Sequence, residues 1–140
     1  FIIDHPLDPK NSLLVFSFVE SPDVKNVYDG IATFNEHGNA EIELPPYFLA
    51  LNKEFRYLAT AVGSPMPDLH VSQEVRRKYV VLGPTVFVIS GGAPHERVSW
   101  QITGIRHDRL IEKNPIVPEV PKEGSGVVAP GECLFAPLCL

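Results

Sequence analysis

The sequence predicts an all-β domain: an antiparallel β-sandwich or barrel-like fold with one short helical turn and an extended carboxyl-terminal arm. Apolar and polar residues alternate with the period of strands in about eight short segments. Turn residues, among them many of the fourteen prolines, separate these segments, and only one segment favours a helix. We therefore assign residues 1–112 to the β-domain and residues 113–140 to a Pro/Gly-rich arm with an apolar tip.

The first long strand candidate is LLVFSFVE, residues 13–20, and it is apolar on both faces. Phe16 and Phe18 share one face, which we assign to the core. The opposite face carries three apolar residues: Leu13, Val15 and Val19. Both faces of such a strand are expected to be buried. The first face packs on the core of its own domain, and the second must pack against another sheet or a neighbouring subunit. We therefore predict that these three residues mediate self-association.

The following segments continue the β pattern with one interruption. A hairpin with one solvent-exposed face is predicted where the segments GIATF and AEIEL flank NEHGN. PPYFLALNKEF is the helical piece, because Pro46 suits the first position of a helix. FRYLATAV, HVSQEV, YVVL and TVFVIS are further strands. VSWQITGI places Val98, Trp100 and Ile102 on one face, and we assign Trp100 and Ile102 to the core.

Composition and motifs argue against several functions. A net charge of −5 with scattered Lys and Arg disfavours nucleic-acid binding, and no apolar run approaches the ~20 residues of a membrane span. Gly91-Gly92 lacks a following Lys-Ser/Thr and predicts a hairpin turn. No GxSxG elbow occurs, and the charged run RHDRLIEK predicts a solvated strand exit. We expect no catalytic residue, no cofactor and no enzyme activity.

The segment DHPLD offers three groups that bind metals elsewhere: Asp4, His5 and Asp8. A closed zinc or calcium site needs further ligands, which the neighbouring sequence does not supply. The flanking prolines and the preference of Asp for turns instead predict a rigid turn, so we assign no metal ligand.

The arm begins at about residue 113, where closely spaced prolines and glycines end the strand pattern. Its tip, ECLFAPLCL, is apolar again, which predicts docking on another surface. Four residues of this tip are assigned to self-association: Leu134, Phe135, Leu138 and Leu140. In an oxidising compartment, Cys133 and Cys139 could form a disulfide that closes a small loop, or either could bond to another chain. The alternative is that both are free thiols without a bonding role.

Four aromatic residues provide the main alternative, a platform that would stack on sugar rings: Trp100, Tyr47, Tyr57 and Tyr28. A platform residue normally interrupts an otherwise polar, exposed face. Trp100 instead lies in phase with two apolar neighbours, so the sequence favours a core position for it. Surface glycans nevertheless stay the second candidate partner.

Four blocks of the chain carry a resemblance that covers residues 1–122: FIIDHPLDP, SFVESPDVKNVYDG, ELPPYFLALNKEFRY and GGAPHERVSWQITGIRHD. Together they resemble a β-rich domain near the carboxyl end of fibre-like, tail-fibre-like proteins of bacteria, phages and large viruses. The resemblance implies a structural, self-assembling part of an extracellular or virion-surface fibre, filament or phage-tail-like appendage. Its copies would form a closed trimer or an open filament. A carbohydrate-binding module at a fibre tip is the alternative.

Overall fold

The computed structural model describes residues 2–16, 18–79 and 83–135. Within these ranges the chain forms eight strands and two short helices. Their bounds are β1 Ile2–Asp4, β2 Leu13–Val15, β3 Lys25–Thr33, β4 Ala40–Leu44, α1 Phe48–Leu51, β5 Asn52–Val62, β6 His70–Arg77, β7 Thr85–Ser90, β8 Arg97–Arg106 and α2 Arg109–Lys113. None of the helices in these ranges is long and apolar enough to cross a membrane.

The strands form three antiparallel sheets, which confirms the predicted all-β class. Two three-stranded sheets, in the orders β3-β8-β5 and β4-β7-β6, face each other across one hydrophobic core. The short strands β1 and β2 form a separate two-stranded ribbon at one end. Residues of both large sheets contribute to the same core, so the architecture is that of a small sandwich.

Alternation along the strands determines which side chains enter this core. In β4, Ala40, Ile42 and Leu44 are buried while Glu41 and Glu43 are exposed, as the pattern AEIEL predicts. In β8, Val98 and Ile102 are fully buried. From the opposite sheet, Phe87 and Ile89 of β7 meet them. The inner faces of the two sheets therefore share one core.

Trp100 lies at the margin of the core. Its ring meets Phe87 edge-on at 5.6 Å between centroids and also covers Gly30 on the neighbouring strand. A Cβ atom at position 30 would come within 2.9 Å of the Trp100 ring, so glycine makes room for the indole. The side chain is half-buried and belongs to the packing of the sandwich.

Two predicted hairpins are wrong, because in each case the flanking strands belong to different sheets. β3 pairs with β8 and β4 pairs with β7, so the NEHGN turn carries the chain from one sheet to the other. The turn at Gly91-Gly92 makes the corresponding crossing between β7 and β8. The two crossings meet, with the Gly92 amide donating to the Gly38 carbonyl at 3.1 Å. Phe34, which is 1 % exposed, packs against Gly92 where the two crossings meet.

The helical predictions need two corrections. The predicted helical turn is α1, but it begins at Phe48 after an N-cap at Tyr47, two residues beyond Pro46. The run RHDRLIEK is not a strand exit, since it contains the second helix, α2. Asp108 caps this helix by accepting a hydrogen bond from the Leu110 amide at 3.0 Å.

The strand within residues 13–20 is also shorter than predicted. β2 ends at Val15, and Ser17 lies outside the described residues. Phe16 is half-buried and packs near Tyr28 and Tyr47, whereas Phe18 is 80 % exposed. The assignment of Phe18 to the core is therefore wrong, because the chain has left the ribbon before it reaches this residue.

Candidate self-association surface

The β1–β2 ribbon has one buried and one exposed face. Ile3 and Leu14 are cross-strand partners that pack on Leu51 of α1. The other face carries three apolar side chains that are 62–64 % exposed: Ile2, Leu13 and Val15. This is the two-sided apolar pattern read from the sequence, with cover present on one side. Among the described residues the two strands pair with each other alone, so their outer edges also present backbone groups.

The turn that connects the ribbon strands is organised by the DHPLD segment. Asp8 accepts hydrogen bonds from the Asn11 amide at 2.8 Å and from the Ser12 hydroxyl at 3.2 Å. The His5 backbone amide donates to the Ser12 carbonyl at 2.9 Å, and the His5 ring packs edge-on against Tyr47. These polar groups serve the turn. Within the described ranges, no three His, Cys, Asp or Glu residues lie close enough together to hold a metal ion.

An apolar groove of about 490 Å³ lies between the segment that follows β2 and helix α2. Six apolar residues line it: Phe18, Val19, Val24, Leu110, Ile111 and Ile116. Phe18, Val19, Leu110 and Ile116 stay 47–80 % exposed although they surround a concave surface. We refer to this surface below as the apolar groove.

A buried polar network fixes the wall of the groove. Asn26, which lines the groove, donates to the Asn52 side-chain oxygen at 2.8 Å. The Asn52 amide donates in turn to the Phe48 carbonyl at 3.0 Å and to the Tyr28 hydroxyl at 3.1 Å. Gly104 leaves the space that Asn52 occupies, since a Cβ there would lie 2.6 Å from the Asn52 Cβ. The network thereby ties β3, α1, β5 and β8 together under the groove.

The electrostatics of this network keep its hydroxyl group neutral. Burial raises the pKa of Tyr28 to about 12, and the hydrogen bond from Asn52 offsets only part of that rise. At neutral pH the Tyr28 hydroxyl is therefore protonated and contributes no charge to the groove.

A second polar pair connects β8 to α2. Arg106 is 3 % exposed, and its Nε donates to the carboxylate of Asp108. Burial alone would raise the pKa of Asp108, but the hydrogen bond and charge of Arg106 and the amides of α2 outweigh it, so the pKa is lowered. The Arg106 backbone amide also donates to the Val24 carbonyl at 2.9 Å. This pair holds α2 against the segment that forms the opposite side of the groove.

The arm leaves the domain at the groove and exposes apolar side chains along its described length. No helix or strand occurs between residues 115 and 135. Six apolar side chains there are 58–67 % exposed: Ile116, Val117, Val120, Val127, Leu134 and Phe135. Cys133 is disulfide-bonded. Leu138, Leu140 and Cys139, which the sequence also assigned to the tip, lie outside the described residues.

The residues predicted to self-associate fall into two separate groups. Leu13 and Val15 share the exposed ribbon face, while Val19 belongs to the apolar groove and is 47 % exposed. Leu134 and Phe135 are exposed at the far end of the arm. The groove residues of α2 were missed because RHDRLIEK looked like a charged strand exit. The signal that could have identified them is Asp108, an N-cap residue immediately before Leu110 and Ile111.

A larger cleft of about 920 Å³ lies between the ribbon and residues 107–110 and is more polar than the groove. Its titratable side chains are Asp4, His5, His107, Asp108 and Arg109. Asp108 is already engaged with Arg106, and His5 and Asp8 serve the ribbon turn. His107 lies 3.4 Å from the Leu49 carbonyl. The described contacts therefore assign structural roles to His5, His107 and Asp108.

The aromatic residues of the glycan alternative do not form an exposed platform. Tyr28, Tyr57 and Trp100 pack against the hydrophobic core, and Tyr47 packs against the Ile3, Leu14 and Leu51 cluster. The Tyr57 hydroxyl accepts a hydrogen bond from the Val75 amide at 2.9 Å, and burial raises the pKa of that hydroxyl. These four rings therefore serve packing between the sheets and under the ribbon.

No protein-family model, curated protein or solved structure matches this chain. The resemblance to fibre-like proteins accordingly stays a prediction from the sequence. The structural features that bear on function are the exposed apolar residues of the ribbon, the groove and the arm.

Proposed function

We propose that this protein is a structural, self-assembling subunit or terminal domain of an extracellular fibre, filament or phage-tail-like appendage. One observation carries the proposal: the amino-terminal segment and the arm expose apolar side chains that a single copy leaves uncovered. In the amino-terminal segment these are Ile2, Leu7, Leu13, Val15, Phe18 and Val19, each 47–80 % exposed. Most of them lie in two patches, the exposed ribbon face and the apolar groove. Exposed apolar patches are typical of sites where proteins associate.

The available area supports association between copies. Burying an aliphatic or aromatic side chain stabilises by ~1.5–3 kcal/mol, which at ~25 cal/mol per Å² corresponds to roughly 60–120 Å² each. Because the six side chains are 47–80 % exposed, they offer roughly 200–450 Å² between them. A standard stable interface buries about 800 Å² on each partner, so the amino-terminal segment supplies a part of one. The arm offers a similar number of exposed apolar residues.

Carbohydrate binding has less support. It depends on an exposed aromatic platform, and the four rings that would build it pack inward. We therefore favour assembly and treat glycans as an alternative that a glycan-array screen would reveal.

The test compares two substitutions of equally exposed residues. Val15 on the ribbon and Leu58 on the outer face of β5 are both 64 % exposed, so Asp at either position should affect folding to a similar, small extent. Val15→Asp should weaken association at least about tenfold, because an interface would then bury an unpaired carboxylate. Leu58→Asp should leave association unchanged.

Association is measured by light scattering and sedimentation velocity over a range of concentrations, with circular dichroism to verify folding. A wild-type chain with its arm intact that stays strictly monomeric at high concentration would contradict the proposal. Equal weakening by both substitutions would show that the ribbon face is not the specific contact.

A further inference from the structure

We propose that the apolar arm tip of one copy, at Leu134 and Phe135, seats in the apolar groove of another copy. The inference rests on the proposed function and deepens it, since it names the two surfaces that meet. Both surfaces belong to this chain, and each is apolar and exposed where the structure describes it. A copy that presents both surfaces can therefore bind a second copy without any other partner.

The groove has the size and lining to receive such a tip. Its volume of about 490 Å³ lies within the ~300–1,000 Å³ range of protein pockets that enclose apolar groups. Leu110 and Phe18 stand at opposite sides of the groove and are 53 % and 80 % exposed. An inserted Leu-Phe pair would cover these side chains while becoming buried itself, so both partners lose exposed apolar area.

The direction of the arm favours another copy over the arm's own groove. Ile116, at the root of the arm, already forms part of the groove lining. Pro115, Pro118 and Pro121 follow at intervals of three, which favours a stiff, extended segment of about 3.1 Å per residue. Seven such residues span roughly 20 Å. An extended segment of this length would place the following residues away from the groove at its root, and the apolar residues along the arm are exposed, not packed on the domain.

A turn near the end of the arm presents the tip. The Lys122 ammonium donates to the Glu132 carbonyl, and the amides of Ser125 and Glu132 close local turns. Glu132 directly precedes the disulfide-bonded Cys133 and the two apolar tip residues. On the groove side, Lys25 and Asp23 both line the rim, and their charged groups lie 3.6 Å apart as an ion pair. The contact between tip and groove therefore depends on apolar burial and not on charge.

Contact between a tip and a groove joins two different surfaces. Interfaces of this kind repeat head to tail, and they either close into a ring or continue as an open chain. Both outcomes agree with the trimer or filament expected from the sequence.

A mixing experiment tests the inference. Phe135→Asp impairs the tip and leaves the groove intact, whereas Leu110→Asp impairs the groove and leaves the tip intact. Both residues are more than half exposed, so both variants should fold. Each variant alone should associate at least about tenfold more weakly than wild type. A 1:1 mixture should associate more strongly than either variant alone, because one intact tip and one intact groove remain, and this contact should join the two variants in a 1:1 ratio.

The outcomes separate this inference from the proposed function. If the two variants associate as strongly as wild type, the tip-to-groove contact is wrong and assembly through the ribbon still stands. If each variant associates weakly and their mixture associates no better than either alone, the tip and the groove are not two halves of one contact, and the inference is wrong. If wild type is monomeric, both proposals fail. A further outcome is a monomeric protein in which Phe135→Asp increases the hydrogen-exchange rate of the groove amides. The tip would then occupy the groove of its own copy, which also overturns the inference. Leu58→Asp is the matched control and should behave as wild type throughout.

Discussion

Replacement of Asn52 by leucine should be one of the most destabilising single changes near the groove. Asn52 is 2 % exposed, and its side chain makes three hydrogen bonds, to Asn26, Tyr28 and the Phe48 carbonyl. Leucine has a similar size but can form none of them. The Asn26 amide, itself 7 % exposed, would lose its partner in a buried position.

The expected cost follows from these contacts. A typical intramolecular hydrogen bond contributes ~1 kcal/mol, and a buried polar group left unsatisfied costs ~1–3 kcal/mol. We therefore expect Asn52→Leu to lower the free energy of unfolding by about 3 kcal/mol. For a domain of this size, that corresponds to a decrease in Tm of roughly 10 °C.

Urea denaturation followed by circular dichroism measures this loss. Asn11→Leu is the matched control, because Asn11 also makes a side-chain hydrogen bond but is exposed, and its cost should be within about 0.5 kcal/mol. Asn26→Val combined with Asn52→Leu should cost less than the sum of the single changes, since it removes both partners. A loss below about 1 kcal/mol for Asn52→Leu, or strict additivity in the double variant, would refute the reasoning.

Two further predictions concern the neighbouring structure. The folded-state pKa of Asp108 lies below its ordinary value of 3.8, so its contribution to stability is present above that value and is lost as the pH falls through the lowered pKa. Asp108→Asn should therefore make urea stability less dependent on pH between about 2 and 5, and an unchanged dependence would count against the pairing with Arg106. Gly92→Ala should destabilise by about 1–3 kcal/mol, because its Cβ would lie 2.4 Å from ring carbons of Phe34; a change below about 0.5 kcal/mol in the same assay would be inconsistent with that packing.

Several features of the fold could be predicted from the sequence because they depend on local periodicity. The alternation in AEIEL correctly predicted which β4 residues enter the core. The alternation around Ile102 correctly predicted its inward face. The apolar pattern at residues 13–15 also indicated that one face would need cover from outside the domain, and Leu13 and Val15 are exposed.

The pairing of strands could not be predicted in the same way. NEHGN and Gly91-Gly92 contain the residues of tight turns, and the chain does turn there. Whether a turn joins neighbours in one sheet or crosses to the opposite sheet depends on what the flanking strands find elsewhere. Here β8 inserts between β3 and β5, so both turns become crossings. Sequence neighbours gave no information about this partner, which lies more than sixty residues from β3.

The sequence by itself determined the all-β class and the two apolar faces around residue 14, because each is a property of short stretches of chain. Only the tertiary structure decided that Phe18 is exposed, that Asn26 and Asn52 meet, and that α2 closes one side of the apolar groove. These features depend on contacts between segments far apart in the chain. Such contacts arise when the sheets pack, and no local period encodes them.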